Sequence, residues 1–316
     1  MKFVSALNVF WMLTVATASA GQYTPDFTGE RRTASPVFFE ALNSAAPAVS
    51  PSEPASVPEQ AGGFTKGYNP NSALADSPFS PSGMIGKNVF TGNKRGKVTS
   101  TQYPWNTIGR LDLPNGGHCT AALVSRDLIL TNAHCILDKS TNTLMAGAFV
   151  FRPNLTNGAS AYSSGVTLAW WGSYPTDKSG DWALMRLAKP LGDNLGWMGV
   201  KALPDPRIAQ LYAVSYSEDF YSGSSASFET GCTIVSGPTS FGQWLHNCSN
   251  SRGSSGSPMF IFEDKLPYVI AIHASEYRAS DSSDSEIGIE FSFKKANLAV
   301  AADAFRWKLV ELLNTK

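Results

Sequence analysis

The sequence predicts an all-β chain of two β-barrels followed by a C-terminal α-helix, and three observations carry that reading. Short apolar, β-branched and aromatic runs recur along the last two thirds of the chain, separated by Gly, Pro, Asn and Ser clusters: Cys119–Val124, Met145–Phe151, Trp182–Leu187, Pro258–Phe262, Tyr268–His273 and Ile287–Phe293. The period then changes. Leu298, Ala301, Ala302, Phe305, Leu309 and Leu312 recur at helical spacing, which predicts an amphipathic helix over about 296–314 packed on the second barrel. Length supplies the third observation: of 316 residues, 43% hydrophobic, what remains after N-terminal processing suits two barrels of about 100 residues each, near 100–192 and 193–295.

In chain order, the first element is an export signal. Lys2 gives a positive start, Val9–Val15 an apolar centre and Ala18-Ser19-Ala20 a small-residue cleavage site, so residues 1–20 are expected to be removed. The apolar stretch is shorter than the ~20 residues needed to cross a bilayer, and no membrane partner is expected once it is gone. Residues 21–83 are rich in Ala, Ser and Pro, with Pro36, Pro47, Pro51, Pro54, Pro58, Pro70, Pro78 and Pro81 spread through them. Such a segment buries little apolar surface and is expected to be a disordered or loosely attached propeptide or linker. With 25 basic and 25 acidic residues, nothing suggests a nucleic acid as partner. The four cysteines of an exported chain read as disulfides, with three pairings open. No Cys-x-x-Cys or His-Glu-x-x-His spacing exists, so neither a metal nor a cofactor is implied.

The chemistry sits in three short motifs: Thr131-Asn132-Ala133-His134-Cys135, Gly180-Asp181-Trp182-Ala183-Leu184 and Gly253-Ser254-Ser255-Gly256-Ser257-Pro258. A serine hydroxyl is a weak nucleophile until a neutral imidazole takes its proton and a carboxylate holds that imidazole in the right tautomer. The trio recurs on unrelated folds in different chain orders, and His, Asp, Ser with wide separations is the order of the two-barrel chymotrypsin architecture. A Gly-x-Ser-x-Gly elbow does not fit, because Ser257 stands where the second glycine would be. Each motif also leads into or out of a strand-like run. His134 follows Leu128-Ile129-Leu130-Thr131, Asp181 precedes Trp182–Leu187, and Ser255 precedes Pro258–Phe262.

On these residues the chain resembles the trypsin-like peptidases, and within them the bacterial-type branch that contains the V8-like glutamyl endopeptidases. Tyr103-Pro104-Trp105 leading to Ile108-Gly109-Arg110-Leu111 is similar to that family's entry into its first barrel. The resemblance implies two six-stranded Greek-key barrels in a peptidase domain spanning 84–316. It implies Ser255 as nucleophile, His134 as general base and acid, Asp181 as the orienting carboxylate, and backbone N–H groups of Gly253 and Ser255 as the oxyanion hole. It pairs Cys119 with Cys135 and Cys232 with Cys248. The expected protein is a secreted, extracellular, monomeric serine endopeptidase, made as a zymogen, that acts on proteins or peptides through an acyl-enzyme. Ser254 replaces the aspartate that receives the new N-terminal amine in digestive relatives, so that activation ion pair cannot form. Met84-Ile85-Gly86 resembles the mature start of the glutamyl endopeptidases; cuts after Lys94-Arg95 or Arg31-Arg32 are also readable.

The specificity pocket is less determined. The resemblance assigns His273 to the strand that contacts an acidic side chain before the cut bond, and an imidazole can donate to a carboxylate. Asn250 stands where the motif's usual Thr or Ser would be, and Glu276 near the pocket would repel an acidic substrate, whereas Arg252 at the rim would attract one. An acidic preference and a structural His273 are therefore both open. Ser249, six residues before the nucleophile, is not an aspartate, which argues against a preference for Lys or Arg. The competing function class is a secreted non-catalytic binding protein on a peptidase scaffold; intact Ser255, His134 and Asp181 favour the enzyme.

Overall fold

The computed structural model describes residues 64–70, 79–81, 90, 94–207, 211–240, 242–278, 291–293 and 295–315. The predicted signal peptide, most of the predicted propeptide, the Met84-Ile85-Gly86 start and most of the Ile287–Phe293 run lie outside these residues.

Three short strands, β1 (Phe64–Thr65), β2 (Phe79–Pro81) and β3 (Gly96–Val98), precede the first barrel. That barrel comprises β4 (Ile108–Asp112), β5 (His118–Leu123), β6 (Leu128–Thr131), β7 (Val150–Pro153), β8 (Ser164–Trp171) and β9 (Ala183–Leu187). It is closed in the order β4-β5-β6-β9-β8-β7, the Greek-key arrangement expected. β5 shows why its sequence is apolar on both faces. Cys119, Ala121 and Leu123 point into a core with Leu111, Ile129, Phe149, Phe151 and Met185, while Thr120 and Ala122 face outward and are buried all the same. Residue period two sends alternate side chains to opposite faces, so a strand buried twice loses its polar alternation. Each large side chain so buried contributes roughly 1.5–3 kcal/mol. The strand expected at Met145–Phe151 begins only at Val150; Gly147, at φ +116°, keeps the preceding residues out of extended pairing.

After helix α1 (Gly192–Leu195) and strand β10 (Gly199–Lys201), the second sheet follows: β11 (Leu211–Ser215), β12 (Ser227–Cys232), β13 (Ile234–Ser236), β14 (Trp244–His246), β15 (Pro258–Glu263), β16 (Leu266–Arg278) and β17 (Lys295–Ala301). Its ladder runs β13-β14-β17-β16-β15-β11-β12 and continues into β3 and β2. β12 and β13 are separated by Thr233 alone, so the curl of the sheet is bridged there by the chain itself rather than by a hydrogen-bonded strand pair.

The C-terminal helix is shorter than the spacing predicts. α2 spans Arg306–Asn314, and the 296–301 portion of the expected helix is β17, paired on both sides with β14 and β16. The helical spacing of Leu298, Ala301 and Ala302 is a by-product of burial on both faces: Ala296, Asn297, Leu298, Ala299 and Val300 are all buried, so no face is left polar to reveal a period of two. The second sheet accordingly runs to Ala301, past the expected limit near 295. Phe305, just before α2, and Leu309 and Leu312 within it are buried. Among the described residues, no helix is long and apolar enough to cross a membrane.

Candidate active site

The candidate triad residues come from turns attached to three strands. His134 lies in a single helical turn, Ala133–Cys135, directly after β6. The Cys119–Cys135 disulfide ties that turn to β5. Asp181, only 2% exposed, follows the turn Lys178–Gly180 and precedes β9. Asp177 caps that turn by accepting from the N–H of Ser179 at 2.9 Å. β6 and β9 are paired through Thr131 and Ala183, which brings the two turns side by side. His134 then donates twice to one carboxylate, from its backbone N–H to Asp181 Oδ1 at 2.9 Å and from Nδ1 to Oδ2 at 2.7 Å. Asn132 Nδ2 fixes the same segment through the carbonyl of Asp181 at 2.7 Å. With Nδ1 carrying the proton, Nε2 is the lone-pair nitrogen, and the Ser255 hydroxyl donates to it at 2.8 Å.

Ser255 is presented from the second sheet but held by the first barrel. Its carbonyl accepts from the N–H of Thr120 at 2.8 Å, and Thr120 Oγ1 donates to the carbonyl of Gly253 at 2.9 Å. The outward face of β5 is thus the bench on which the loop of Ser255 rests. Gly253 and Gly256 adopt φ +86° and +83°. A Cβ at Gly253 would lie 2.3 Å from His118 Nε2, and one at Gly256 would lie 2.2 Å from the carbonyl oxygen of Thr120, so neither position admits a side chain. Neither Gly253 nor Ser255 donates its N–H to a backbone carbonyl among the described residues. Ser254 is fully buried, its hydroxyl paired with that of Ser217 and accepting from the N–H of Ser251 at 3.2 Å.

The predicted pocket residues separate into three groups. His273, 4% exposed, sits on β16, whose backbone is fastened to the loop of Ser255: Gly256 N–H donates to the His273 carbonyl at 2.9 Å and His273 N–H to the Ser257 carbonyl at 3.0 Å. Ser249 and Asn250 are buried and committed. The N–H of Ser249 donates to Glu229 at 2.7 Å, its hydroxyl accepts from the N–H of Phe90 at 3.3 Å, and Asn250 Nδ2 donates to the carbonyl of Cys248 at 3.2 Å. Arg252, with 87% of its side chain exposed, lies out in solvent, its Nε 3.8 Å from Glu218, rather than offering a built fork to a substrate carboxylate. Glu276 is exposed as well.

Nothing in the sequence singled out His246, Glu229 or His118. His246 is fully buried, with Nε2 3.1 Å from His273 Nδ1. The N–H of Cys248 donates to His246 Nδ1 at 3.3 Å, which assigns the ring proton to Nε2 and makes it a donor to His273; His273 then carries its own proton on Nε2. Burial holds His246 down at about 3 and pushes His273 well below the ordinary histidine range, His246 and His134 adding to the effect. Burial pushes the Glu229 carboxyl up to about 7, with the N–H of Ser249 and the charge of Arg95 pulling back. Burial also lowers the pKa of His118, against the pull of a hydrogen bond from its Nε2 to the carbonyl of Tyr216 at 2.8 Å, beneath Gly253. His246 lies on β14 and His273 on β16, with β17 paired between them, so only the strand order brings the two rings together. The second disulfide, Cys232–Cys248, joins the end of β12 to the segment that follows His246. Cys119, His134 and Cys135 gather their side-chain atoms within 4.8 Å, but both sulfurs are spent in a disulfide and offer no thiolate to a metal.

Two β-barrels of this topology define the class, the chymotrypsin-fold peptidases. The chain belongs to the trypsin family of serine peptidases: residues 94–296, well over half of it, match the family described as Trypsin. Among solved structures, it is similar to a Glu endopeptidase, with a TM-score of 0.56 and 18% identity over 69% of this chain and 95% of that one. It is also similar to AL20, a thermostable serine protease from an extremophilic microorganism, with a TM-score of 0.52 and 17% identity over 67% of this chain and 99% of that one. At these identities the likeness is one of fold. No curated protein matches the chain.

Proposed function

We propose that the protein is a secreted, V8-like serine endopeptidase, made as a zymogen, that acts as a monomer through Ser255, His134 and Asp181 and favours an acidic residue before the cut bond. The observation that carries the reaction is the continuous donor chain Ser255 Oγ–H to His134 Nε2 and His134 Nδ1–H to Asp181. In this reading Ser255 attacks the substrate carbonyl while its proton passes to His134 Nε2, leaving an imidazolium that Asp181 stabilises. The N–H groups of Gly253 and Ser255 receive the developing oxyanion, where one such donor is worth about 3 kcal/mol of transition-state stabilisation. His134 then gives its proton to the leaving amine, and water hydrolyses the acyl-enzyme by the same route in reverse.

The acidic preference rests on the histidine pair. With Nδ1 occupied by the donor from His246, the remaining proton of His273 is on Nε2, a neutral donor suited to a carboxyl oxygen. Export is supported by the leader-like N-terminus and by two disulfides, which persist in oxidising compartments. Reaction of the secreted protein with an organophosphonate tests the chemistry: stoichiometric labelling in the native protein and none in Ser255→Ala is the expected result, and an unlabelled native protein refutes it. A peptide-library digest tests the pocket, where cuts mainly after Lys, Arg or aromatic residues would overturn the acidic preference.

A further inference from the structure

Beneath the loop that carries Ser255 lies an ion pair that the triad chemistry leaves unused. Arg95, just before β3, is 2% exposed. Its guanidinium forms a two-pronged pair with Asp219, Nη1 donating to Oδ1 at 3.1 Å and Nη2 to Oδ2, and it stands 5.7 Å over the ring of Phe220. Burying two charges costs several kcal/mol per ion, so such a pair is weak evidence for stability in itself. Its neighbours show what it holds. Asp219 Oδ1 also accepts from Ser251 Oγ at 2.6 Å, and the N–H of Asp219 donates back to that hydroxyl at 3.4 Å. Glu218 N–H donates to the carbonyl of Arg252 at 2.7 Å, and Ser217 pairs with Ser254 through their hydroxyls. Residues 217–219 are therefore stitched to 251–254, the turn that ends in the two N–H groups assigned to the oxyanion. At the other end of the same loop, Glu229 accepts from Ser249 and feels the charge of Arg95.

We propose that Arg95 is the positioning residue of the oxyanion loop: a buried guanidinium, supplied from within the chain, whose two-pronged pair holds Asp219 aimed at Ser251 so that Gly253 and Ser255 present their N–H groups to one point. The inference rests on the reading of Ser255 as the nucleophile. It has a consequence for maturation. Arg95 is joined to β3, which pairs with β12 through Lys97 with Ser227 and Gly96 with Phe228. A cut after Lys94-Arg95 would sever the cation from the strand that holds it and add a new carboxylate beside Asp219. The active chain therefore keeps the Arg95–Gly96 bond, and activation occurs on the N-terminal side of Arg95.

The test uses the secreted, matured protein and the best peptide from the library digest. Arg95→Met is expected to lower kcat about 100-fold, the scale of losing one oxyanion donor, with KM changed less than about threefold. Arg95→Lys, which keeps the charge but not the fork, is expected to recover about tenfold of that loss. Ser251→Ala, at a half-buried hydroxyl, is expected to lower kcat about five- to tenfold with an unchanged melting temperature; it decides the matter if Arg95→Met does not fold. N-terminal sequencing of active protein is expected to show Arg95 retained. Unchanged kcat in Ser251→Ala together with either Arg95 variant, or an active chain beginning at Gly96 or later, overturns the proposal. A native protein that labels with the phosphonate while the variants keep full kcat sinks this inference alone; a native protein that does not label sinks the peptidase reading beneath it.

Discussion

The two barrels supply their candidate catalytic groups by opposite means. The first holds His134 and Asp181 in tight turns over an apolar interior of Leu111, Leu123, Ile129, Phe149 and Phe151, with a disulfide alongside. Behind Ser255, by contrast, the second is polar. Hydroxyls run from Ser227 to Ser215 at 2.8 Å, from Ser215 to Ser217 at 3.0 Å, and on to Ser254. His246, His273 and Asn297 are buried nearby. Close packing fixes a turn through many small contacts, whereas a hydrogen-bonded network fixes it through a few directional ones that must all be satisfied. The difference teaches where the candidate site is tunable: His134 and Asp181 are built into a rigid wall, and the segments carrying Ser255 and His273 hang from titratable and hydroxyl groups.

The largest break in that contrast comes from the relay. Asp181→Asn keeps the size of the side chain but favours the wrong tautomer of His134, and kcat is expected to fall about 10⁴-fold with the fold intact. A kcat within tenfold of the native value would show that Asp181 does not orient the base. Acidity separates the barrels next. His246 stays neutral in the native chain down to about pH 3, while an unfolded histidine takes up its proton near 6.5. The unfolded state therefore binds more protons in that window, and stability present above pH 6.5 is lost as pH falls. Glu229 has the opposite sign. Its native carboxyl keeps its proton to about pH 7 against 4.5 unfolded, so stability is lost as pH rises from 4.5 to 7, by up to about 3 kcal/mol. Denaturant unfolding of the Ser255→Ala protein from pH 4.5 to 8, with and without Glu229→Gln, checks this. Glu229→Gln retains an acceptor for Ser249 and is expected to become relatively more stable above pH 7; an identical pH profile would rule the coupling out.

What the sequence reveals follows the same division. Strand runs flanking His134, Asp181 and Ser255 are legible because each is an apolar segment ended by a turn signal, and local chemistry determines both. β17 is misread as helix because burial on two faces erases alternation at Ala296–Val300. His246, Glu229 and the Arg95–Asp219 pair are silent for a different reason. Their partners lie 27, 20 and 124 residues away, so nothing local distinguishes Arg95 in a dibasic pair from a processing signal. Fold follows from local patterning here, while the pocket depends on register across strands that no local pattern reports.

The smallest expected effect sharpens the comparison most cheaply, because two arginines beside the Ser255 loop stand in opposite circumstances. Arg95 has 1% of its side chain exposed and is doubly bonded, whereas Arg252, three residues before Ser255, has 87% exposed and stands 3.8 Å from Glu218. Exposed pairs at such distances contribute little, since water and salt screen them and ordering a long side chain has an entropic cost. Arg252→Ala is therefore expected to change kcat/KM by less than about twofold, for substrates with Glu or with Ala before the cut bond alike. Measuring the ratio of the two substrates cancels any general loss of activity. A tenfold fall confined to the Glu substrate would mean that Arg252 swings over the pocket when an acidic side chain enters, and that the acidic preference belongs to the mobile rim rather than to the buried histidine pair.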